Sequence, residues 1–592
     1  MGEIFVTAVD QGENARVAPV GDFQKHGAIP PVGILRTHSN EIGGELDFPV
    51  FQVHCVVQIH NALVVRVGRR QREVDASGDA FVSSSSPEFF SIEDGGSGGY
   101  INMKNPRVER EHSQSQEKKA CTCPQTHPAK HSMGTTYTAA MTRLTNTLAI
   151  AALFAACSAS LLGYQNFTEV KPSPQQVAWQ DLEFGVIVHF STNTFLDREW
   201  GDGTASPAVF NPTNFDPDQW MRAIKASGAK YVVLVAKHHD GFCLWPTEQT
   251  DYSVKASPWR DGKGDVVGDV ARSARKFGLK FGVYLSPWDR HDPRYSNPEA
   301  YDKYYLSELE ELAQRYGDLV EFWLDGAGSA GHVYNFPKII ETLRTYQPNT
   351  IVFADTGLFE YGDARWVGTE SGRVDYENWN VIDRHGYLRW RPIEADTPLR
   401  KLHWFWHPHD EASLKSLEDL TTIYEETVGR GAQLMLGLAP DTRGLLPDSD
   451  VARLKEFGAA IERFQAGNLA LQHLPSTPEV TAAVDGNVDT FWSAPPGSRH
   501  STLEVDFAKP ITVDRATSME WLNDGQHIEK YAIEVWMDNG WKRVAGGQAI
   551  GHQKIDRFAP VSASRIRLNI LSSTQEAHIR EFQLYYEAPA GK

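Results

Sequence analysis

A chain of 592 residues is too long for one ordinary domain and, at roughly 150 residues per domain, predicts two to four. The net charge of −18, with no basic stripe, argues against a nucleic-acid partner. Tryptophan is abundant (16 residues) and aromatics make up 11%, a composition suited to neutral sugars, which dock on aromatic faces.

Residues 1–140 come first, with stretches such as SSSSPEFFSIEDGGSGG and EREHSQSQEKKACTCPQTHPAKH that show no sustained helical or strand period. They read as a non-native extension from a mis-set start, with Met133 or Met141 the true start, or else as a disordered segment. The Cys121/Cys123 pair inside it is a weak metal candidate. At 141–157, MTRLTNTLAIAALFAAC has a basic start, a short apolar run and a small-residue end, the three parts of a secretory signal and too short to span a bilayer. Its FAAC ending resembles a bacterial lipoprotein signal. That resemblance implies an exported protein, periplasmic, secreted, or anchored to a bacterial membrane by a lipid on Cys157. Cys243 would then be the one thiol left in the folded part, which needs no disulfide.

From 175 to 465, short β-rich runs alternate with helical stretches. The strand candidates are FGVIVHFS (184–191), YVVLVAKHHDGF (231–242), KFGVYLSPWD (280–289), LVEFWLDG (319–326), TIVFADTG (350–357), KLHWFWH (401–407) and QLMLGLAP (433–440). DPDQWMRAIKASGA and DKYYLSELEELAQRYG read as helices, the second with Asp302 and Gly317 as end signals. Several strands finish in His189, His238, His239, Tyr284, Trp288, Asp325, Trp404 or His407. In an α/β (β/α)8 TIM barrel those carboxyl ends converge on one face, and the absence of a G-x-G-x-x-G after the first strand removes support for a dinucleotide-binding sheet. Beyond Phe464 the texture turns to short alternating runs, predicting an all-β sandwich over 476–589 behind a linker at about 470–480.

A buried strand that ends on an ionisable group needs a chemical reason, and Asp325 at the end of EFWLDG is the clearest case. Glycoside hydrolysis needs a second carboxyl of different acidity. Glu370 in RWVGTESG, 45 residues on (370 − 325), is the candidate, at a spacing compatible with consecutive barrel strands. His238 and His239 can exchange hydrogen bonds with sugar hydroxyls, while Trp200, Tyr284, Trp288 and Trp323 can stack on a sugar ring. Each of these also has a plain structural reading as core. A metal site from His189, His238, His239 and Asp240 competes, but adjacent strand residues point to opposite faces, and no cofactor or metal is called for.

Taken in order, FGVIVHFS, REWGDG, KHHDGF, YLSPWD, FWLDGA, RWVGTESG and LMLGLAPDTRG resemble the motifs of family 29 glycoside hydrolases, the α-L-fucosidases. The resemblance implies Asp325 as nucleophile and a fucose subsite of His189, Glu199, Trp200, His238, His239, Tyr284 and Trp323. Glu370 resembles the acid/base of the subfamily acting on α-1,3/1,4-linked fucose, for which Trp288, Trp404 and His407 would meet the neighbouring sugar. GLAPDTRG departs from the usual IPPD. AVDGNVDTFWSA (483–494) is similar to a turn of discoidin-like sandwiches, some of which hold calcium and bind galactose-type sugars. The expected substrates are fucosylated oligosaccharides or glycoproteins. The alternatives are a broad-specificity fucosidase and a non-catalytic glycan-binding lipoprotein.

Overall fold

The computed structural model describes residues 169–587 apart from 328, 330, 355–361, 385, 386 and 402, together with four strands between 51 and 83. In the unit Met1–His131 those strands form two antiparallel hairpins, Phe51–Gln58 with Ala62–Arg69 and Gln71–Val74 with Ala80–Ser83. Short β-branched runs such as ALVVRVGR suit this pairing, so this stretch carries strands where the sequence reading expects no period. The signal-like segment 141–157 with Cys157, the start candidates Met133 and Met141, and Cys121 and Cys123 lie outside the described residues. Among the described residues, no helix is long and apolar enough to cross a membrane.

Eight parallel strands close into a barrel: β1 (Phe184–Val188), β2 (Tyr231–Lys237), β3 (Lys280–Leu285), β4 (Glu321–Leu324), β5 (Ile351–Ala354), β6 (Ala364–Trp366), β7 (Ile393–Pro398) and β8 (Gln433–Leu438). Runs such as FGVIV and, up to its terminal Lys237, YVVLVAK are apolar because both faces are covered, one by helices and one by the barrel interior. The helices are α1 (Pro217–Ala226), α2 (Val266–Phe277), α3 (Pro298–Arg315), α4 (Phe336–Tyr346), α5 (Leu417–Thr427) and α6 (Asp448–Ala466). Asp216, Asp265 and Asn297 cap the first three by accepting backbone N–H groups. Helix α3 therefore starts a turn before Asp302, whose carboxylate takes the Asn335 N–H at the start of α4 instead. Gly317 does follow its end, at φ 75°.

Two strands differ from the sequence reading. The run at 401–407 is a loop, and the seventh strand is Ile393–Pro398. The Trp404 and Phe405 N–H groups go to the Glu199 carboxylate rather than to a ladder. Asp325 and Glu370 follow β4 and β6, with β5 between, so they do not stand on consecutive strands. Nor is there a helix between β6 and β7 among the described residues. A hairpin, Val381–Arg384 with Tyr387–Trp390, fills that connection. The divergent GLAPDTRG turn closes on itself, Asp441 accepting from the Arg443 backbone and guanidinium.

The C-terminal sheet runs β9 (Trp492–Ser493), β14 (His578–Tyr585), β10 (Ser501–Glu520), β13 (Lys554–Ser573), β11 (Ile528–Met537) and β12 (Gly540–Ala545), all antiparallel neighbours. Its core already includes Ala470, and Asn468 accepts the Leu584 N–H, so the domain begins right after α6 with no loose linker at 470–480. The sheet seats the β6–β7 connection. Glu377 accepts from Gln548 and Ala549 N–H (both 2.9 Å), Gln526 Oε1 from Asn380 N (3.0 Å) and Nδ2 (2.9 Å), and the Lys554 ammonium lies 3.4 Å over the Tyr376 ring.

In β1, Gly185 is required by the Tyr231 ring lying across it: a Cβ there would meet Tyr231 Cζ at 2.2 Å. The Tyr231 hydroxyl is tied to Glu394 Oε2 at 3.3 Å, so the ring cannot withdraw without losing that bond. Gly185→Ala is expected to cost about 1–3 kcal/mol as overpacking, read as a lower denaturation midpoint at unchanged slope.

Candidate active site

At the carboxyl end of the barrel a pocket of about 130 Å³ is walled by His189, Glu199, Trp200, His238, His239, Tyr284, Trp323, Asp325, Trp366, Glu370, Asp396 and Trp404. A wider cleft of about 690 Å³ at the other end is lined by residues such as Trp179, Leu279, Leu319 and Pro348, without a histidine among its described residues. Barrel enzymes work at the carboxyl end, and the titratable groups converge there.

Asp325 leaves β4 at the pocket floor. Its carboxyl accepts from the Tyr284 hydroxyl (2.9 Å) and the Ala327 N–H (2.8 Å), with His239 Nε2 at 3.5 Å. Burial raises its pKa above the ordinary value, those two bonds lower it, and the charge of Glu370 raises it again. Glu370 is exposed on the turn after β6, and among the described residues it makes no hydrogen bond.

Burial also dominates the histidines, here in the opposite direction. His189 and His239 are pushed down to about 3 and His238 well below its usual range, the imidazoles adding mutual repulsion and Arg290 acting on His239. All three are neutral at physiological pH. The Ser286 hydroxyl donates to the Trp288 carbonyl (2.7 Å), so it accepts from His239 Nδ1 (2.7 Å) and leaves Nε2 bare toward the pocket. Nδ1 of both His189 and His238 is buried without a partner among the described residues. Strand β2 ends at Lys237, so the strand rule that would send His238 and His239 to opposite faces no longer applies. Their rings lie 4.2 Å apart on one pocket. Asp240 turns away to accept from Thr192 (2.6 Å), which breaks up the competing metal set. No described group of three or more His, Cys, Asp or Glu side chains is arranged to hold a metal.

The tryptophans divide by position. Trp323 stacks on Phe353 (centroids 3.8 Å) and Tyr284 (5.5 Å) and donates to Glu394 Oε1 at 2.6 Å. Trp404 packs on His189 at 5.2 Å, and Trp200 stands at the rim, 50% exposed. Trp288 lies behind the pocket wall, against His239 (5.0 Å) and Trp200 (5.4 Å). His407 is also off the wall: Nε2 meets Glu199 Oε1 at 2.6 Å and Nδ1 meets Asp197 at 2.5 Å. Its ring is thus braced between the two carboxylates.

Trp366 and Asp396 stand in the wall although the sequence reading gives them no role. Trp366 lies inside the RWVGTESG motif, four residues before Glu370. Asp396 sits in IEADTP, whose Glu, Asp and Pro hide a strand.

Comparison with known proteins identifies both domains. The Alpha-L-fucosidase family model matches residues 175–465 and the F5/8 type C domain model matches 472–582. Alpha-L-fucosidase 1 of Arabidopsis thaliana is 34% identical over 453 residues, 71% of this chain and 88% of that protein. The chain belongs to the alpha-L-fucosidases. Among solved structures, SpGH29 is 33% identical with a TM-score of 0.66, covering 71% of this chain and 99% of that one. A Ruminococcus gnavus GH29 fucosidase in complex with fucose is 26% identical with a TM-score of 0.65, covering 71% and 95%. This enzyme is therefore a glycoside hydrolase, its barrel covered by the alpha-L-fucosidase model.

His407 sets a pH dependence. Burial alone would lower its pKa, but Glu199 and Asp197 on its two ring nitrogens outweigh that and raise it. The groups facing it are those carboxylates and His403, its ring tilted 47° at 4.4 Å and itself bonded to Asp410. A raised folded pKa stabilises fully below the unfolded value and is lost as pH climbs through the folded one. The melting-temperature gap between the native enzyme and His407→Gln is expected to be largest below the ordinary imidazole pKa of about 6.5 and to narrow as pH climbs above it through the raised folded value.

Proposed function

We propose that the enzyme is a retaining exo-α-L-fucosidase in which Asp325 attacks the anomeric carbon and Glu370 first protonates the leaving oxygen and then activates water. The observation that carries this reading is the pair itself: Asp325 fixed in the floor by Tyr284 and Ala327, and Glu370 exposed on the same small pocket. A pocket that narrow takes one terminal sugar rather than a running chain, in keeping with the fucose held by the R. gnavus relative. His189, His238, His239 and Glu199 serve its hydroxyls, and Trp200 and Trp323 its apolar face.

The mechanism gives each residue a step. Asp325, desolvated yet held by one donor on each oxygen, forms the ester of a fucosyl-enzyme through one oxygen, while the donor on the other stays with the ester carbonyl and both meet the carboxylate again as it is regenerated. Glu370, without a hydrogen-bond partner among the described residues, can turn to the glycosidic oxygen and later to a water on the same side.

For linkage we infer α-1,3/1,4-bound fucose from the RWVGTE turn at Glu370 and the exposed Trp200 at the rim. A broad-specificity fucosidase is the second reading. It is favoured by Trp288 and His407, expected to meet the neighbouring sugar but engaged with His239 and Glu199.

Asp325→Gly and Glu370→Gly are each expected to lose about 10³-fold or more in kcat on an oligosaccharide while staying folded. Azide should rescue both, giving β-fucosyl azide from the Asp325 variant and α-fucosyl azide from the Glu370 variant. The same anomer from both would refute the division of roles.

The linkage reading is checked by kcat/KM on a Lewis-type trisaccharide against a simple aryl fucoside. Binding energy from the adjacent galactose should favour the trisaccharide in kcat as well as KM. Equal or better values for the aryl compound would establish the broad-specificity reading instead.

A further inference from the structure

Strand β7 places carboxyls at two successive inward positions, Glu394 and Asp396, and each accepts the indole N–H of a pocket tryptophan. Glu394 holds Trp323 at 2.6 Å and Asp396 holds Trp366 at 2.7 Å. Asp396 is 5% exposed and belongs to the pocket wall, on the side that carries Glu370.

The turn bearing Glu370 hangs on this strand. The Val367 N–H donates to the Glu394 carbonyl and the Gly372 N–H to the Asp396 carbonyl, both at 3.0 Å, one on each side of Glu370. Gly372 sits at φ 68°, and a Cβ there would meet Thr397 Cγ2 at 2.7 Å, so turn and strand are in close contact. Since the Glu370 side chain has no hydrogen bond of its own among the described residues, its aim comes entirely from how that turn is held. The Trp366–Asp396 bond is the side-chain tie at its start.

We propose that Asp396 is a positioning residue for the proton-transfer half of the reaction, locking the Trp366 ring and with it the turn that presents Glu370 to the leaving oxygen. Burial first, and then the charges of Glu370 and Glu394, hold its own carboxyl well above the usual range, against the lowering bond from Trp366. The geometry gives it the work of an acceptor for the Trp366 indole N–H. The proposal rests on the reading of Glu370 as acid/base.

The test uses leaving groups. Fucosyl fluoride departs without a proton, whereas the sugar alkoxide of a fucosylated oligosaccharide needs one, and kcat/KM reports only the steps through formation of the fucosyl-enzyme. The variants, all in the full chain, are Asp396→Leu, Asp396→Asn, Trp366→Phe and Glu370→Gln. With Asp396→Leu, kcat/KM on the oligosaccharide is expected to fall about 100-fold, the scale of a misaimed acid, and at least tenfold more than on the fluoride. On the fluoride, kcat should fall together with KM, because the misaimed Glu370 also slows release and the fucosyl-enzyme accumulates. Asp396→Asn, which keeps an acceptor oxygen for the indole, should recover most of the loss. Trp366→Phe, which removes the same bond from the other side, should reproduce it even if Asp396→Leu does not fold. Equal losses on both substrates, or no loss in Trp366→Phe, would overturn the positioning role. Glu370→Gln separates the two readings: if it fails to discriminate between the substrates, the acid/base assignment falls. If it discriminates while the Asp396 and Trp366 variants do not, only the Asp396 proposal falls.

Discussion

A carboxylate at the top of a closed barrel has lost most of its water, and the architecture around Asp325 replaces that water with groups that do not move. The Tyr284 hydroxyl and the Ala327 N–H occupy its two oxygens, and the surrounding imidazoles are kept neutral by the same burial. Neutrality is useful there. A protonated His239 would pair with Asp325 and blunt it, whereas a bare Nε2 is open to a hydroxyl. One physical condition, dry surroundings, therefore sets the strength of the carboxylate and the protonation of its neighbours together.

The same condition reaches below the site. Alternation along β4 turns Glu321, Trp323 and Asp325 inward, and along β7 Glu394 and Asp396, so the barrel interior carries carboxyls beneath its reactive layer. Glu394, raised to about 7 by burial, is offset by donors from Trp323 and Tyr231. The adjoining Glu321 is likewise driven well above its usual range by burial and by Glu394. On the outer side, the ammonium of Lys237 is locked between Glu308 (2.5 Å) and Asp289 (3.1 Å) where the strand hands over to His238. The Lys237 cluster adds little net stability, but with its ammonium paired on both sides it allows few alternative packings.

How much of this could be read from the sequence follows from the same layering. Strands buried on both faces appear as apolar runs, so β1 to β5 and β8 are legible, and the polar residues that end them mark the pocket. Strand β7 is not legible, because its inward positions are acids satisfied by tryptophans far away in sequence. The aromatic run at 401–407 resembles a strand but spends its N–H groups on Glu199. His407 shows the limit of residue chemistry without geometry: an imidazole near a sugar pocket suggests a ligand contact, and only the two carboxylates on its nitrogens reveal a brace. Asp396 was hidden for the reason that makes it informative, since its partner Trp366 lies 30 residues away on the neighbouring strand.

The hairpin that replaces a helix between β6 and β7 has a consequence for how the chain is made. Its seat is built from Gln526, Gln548, Ala549 and Lys554, all downstream of the finished barrel. A chain that leaves the ribosome N-terminus first, at roughly 5–20 residues per second, presents every other barrel connection before this one has anything to rest on. The wall beside Glu370 thus gains its seat only once the C-terminal sheet has been made, as does α5, whose Glu425 pairs with Arg515 and Arg557. Order of synthesis thereby becomes a checkpoint: a chain cut short in its final domain keeps most of a barrel but not a finished pocket.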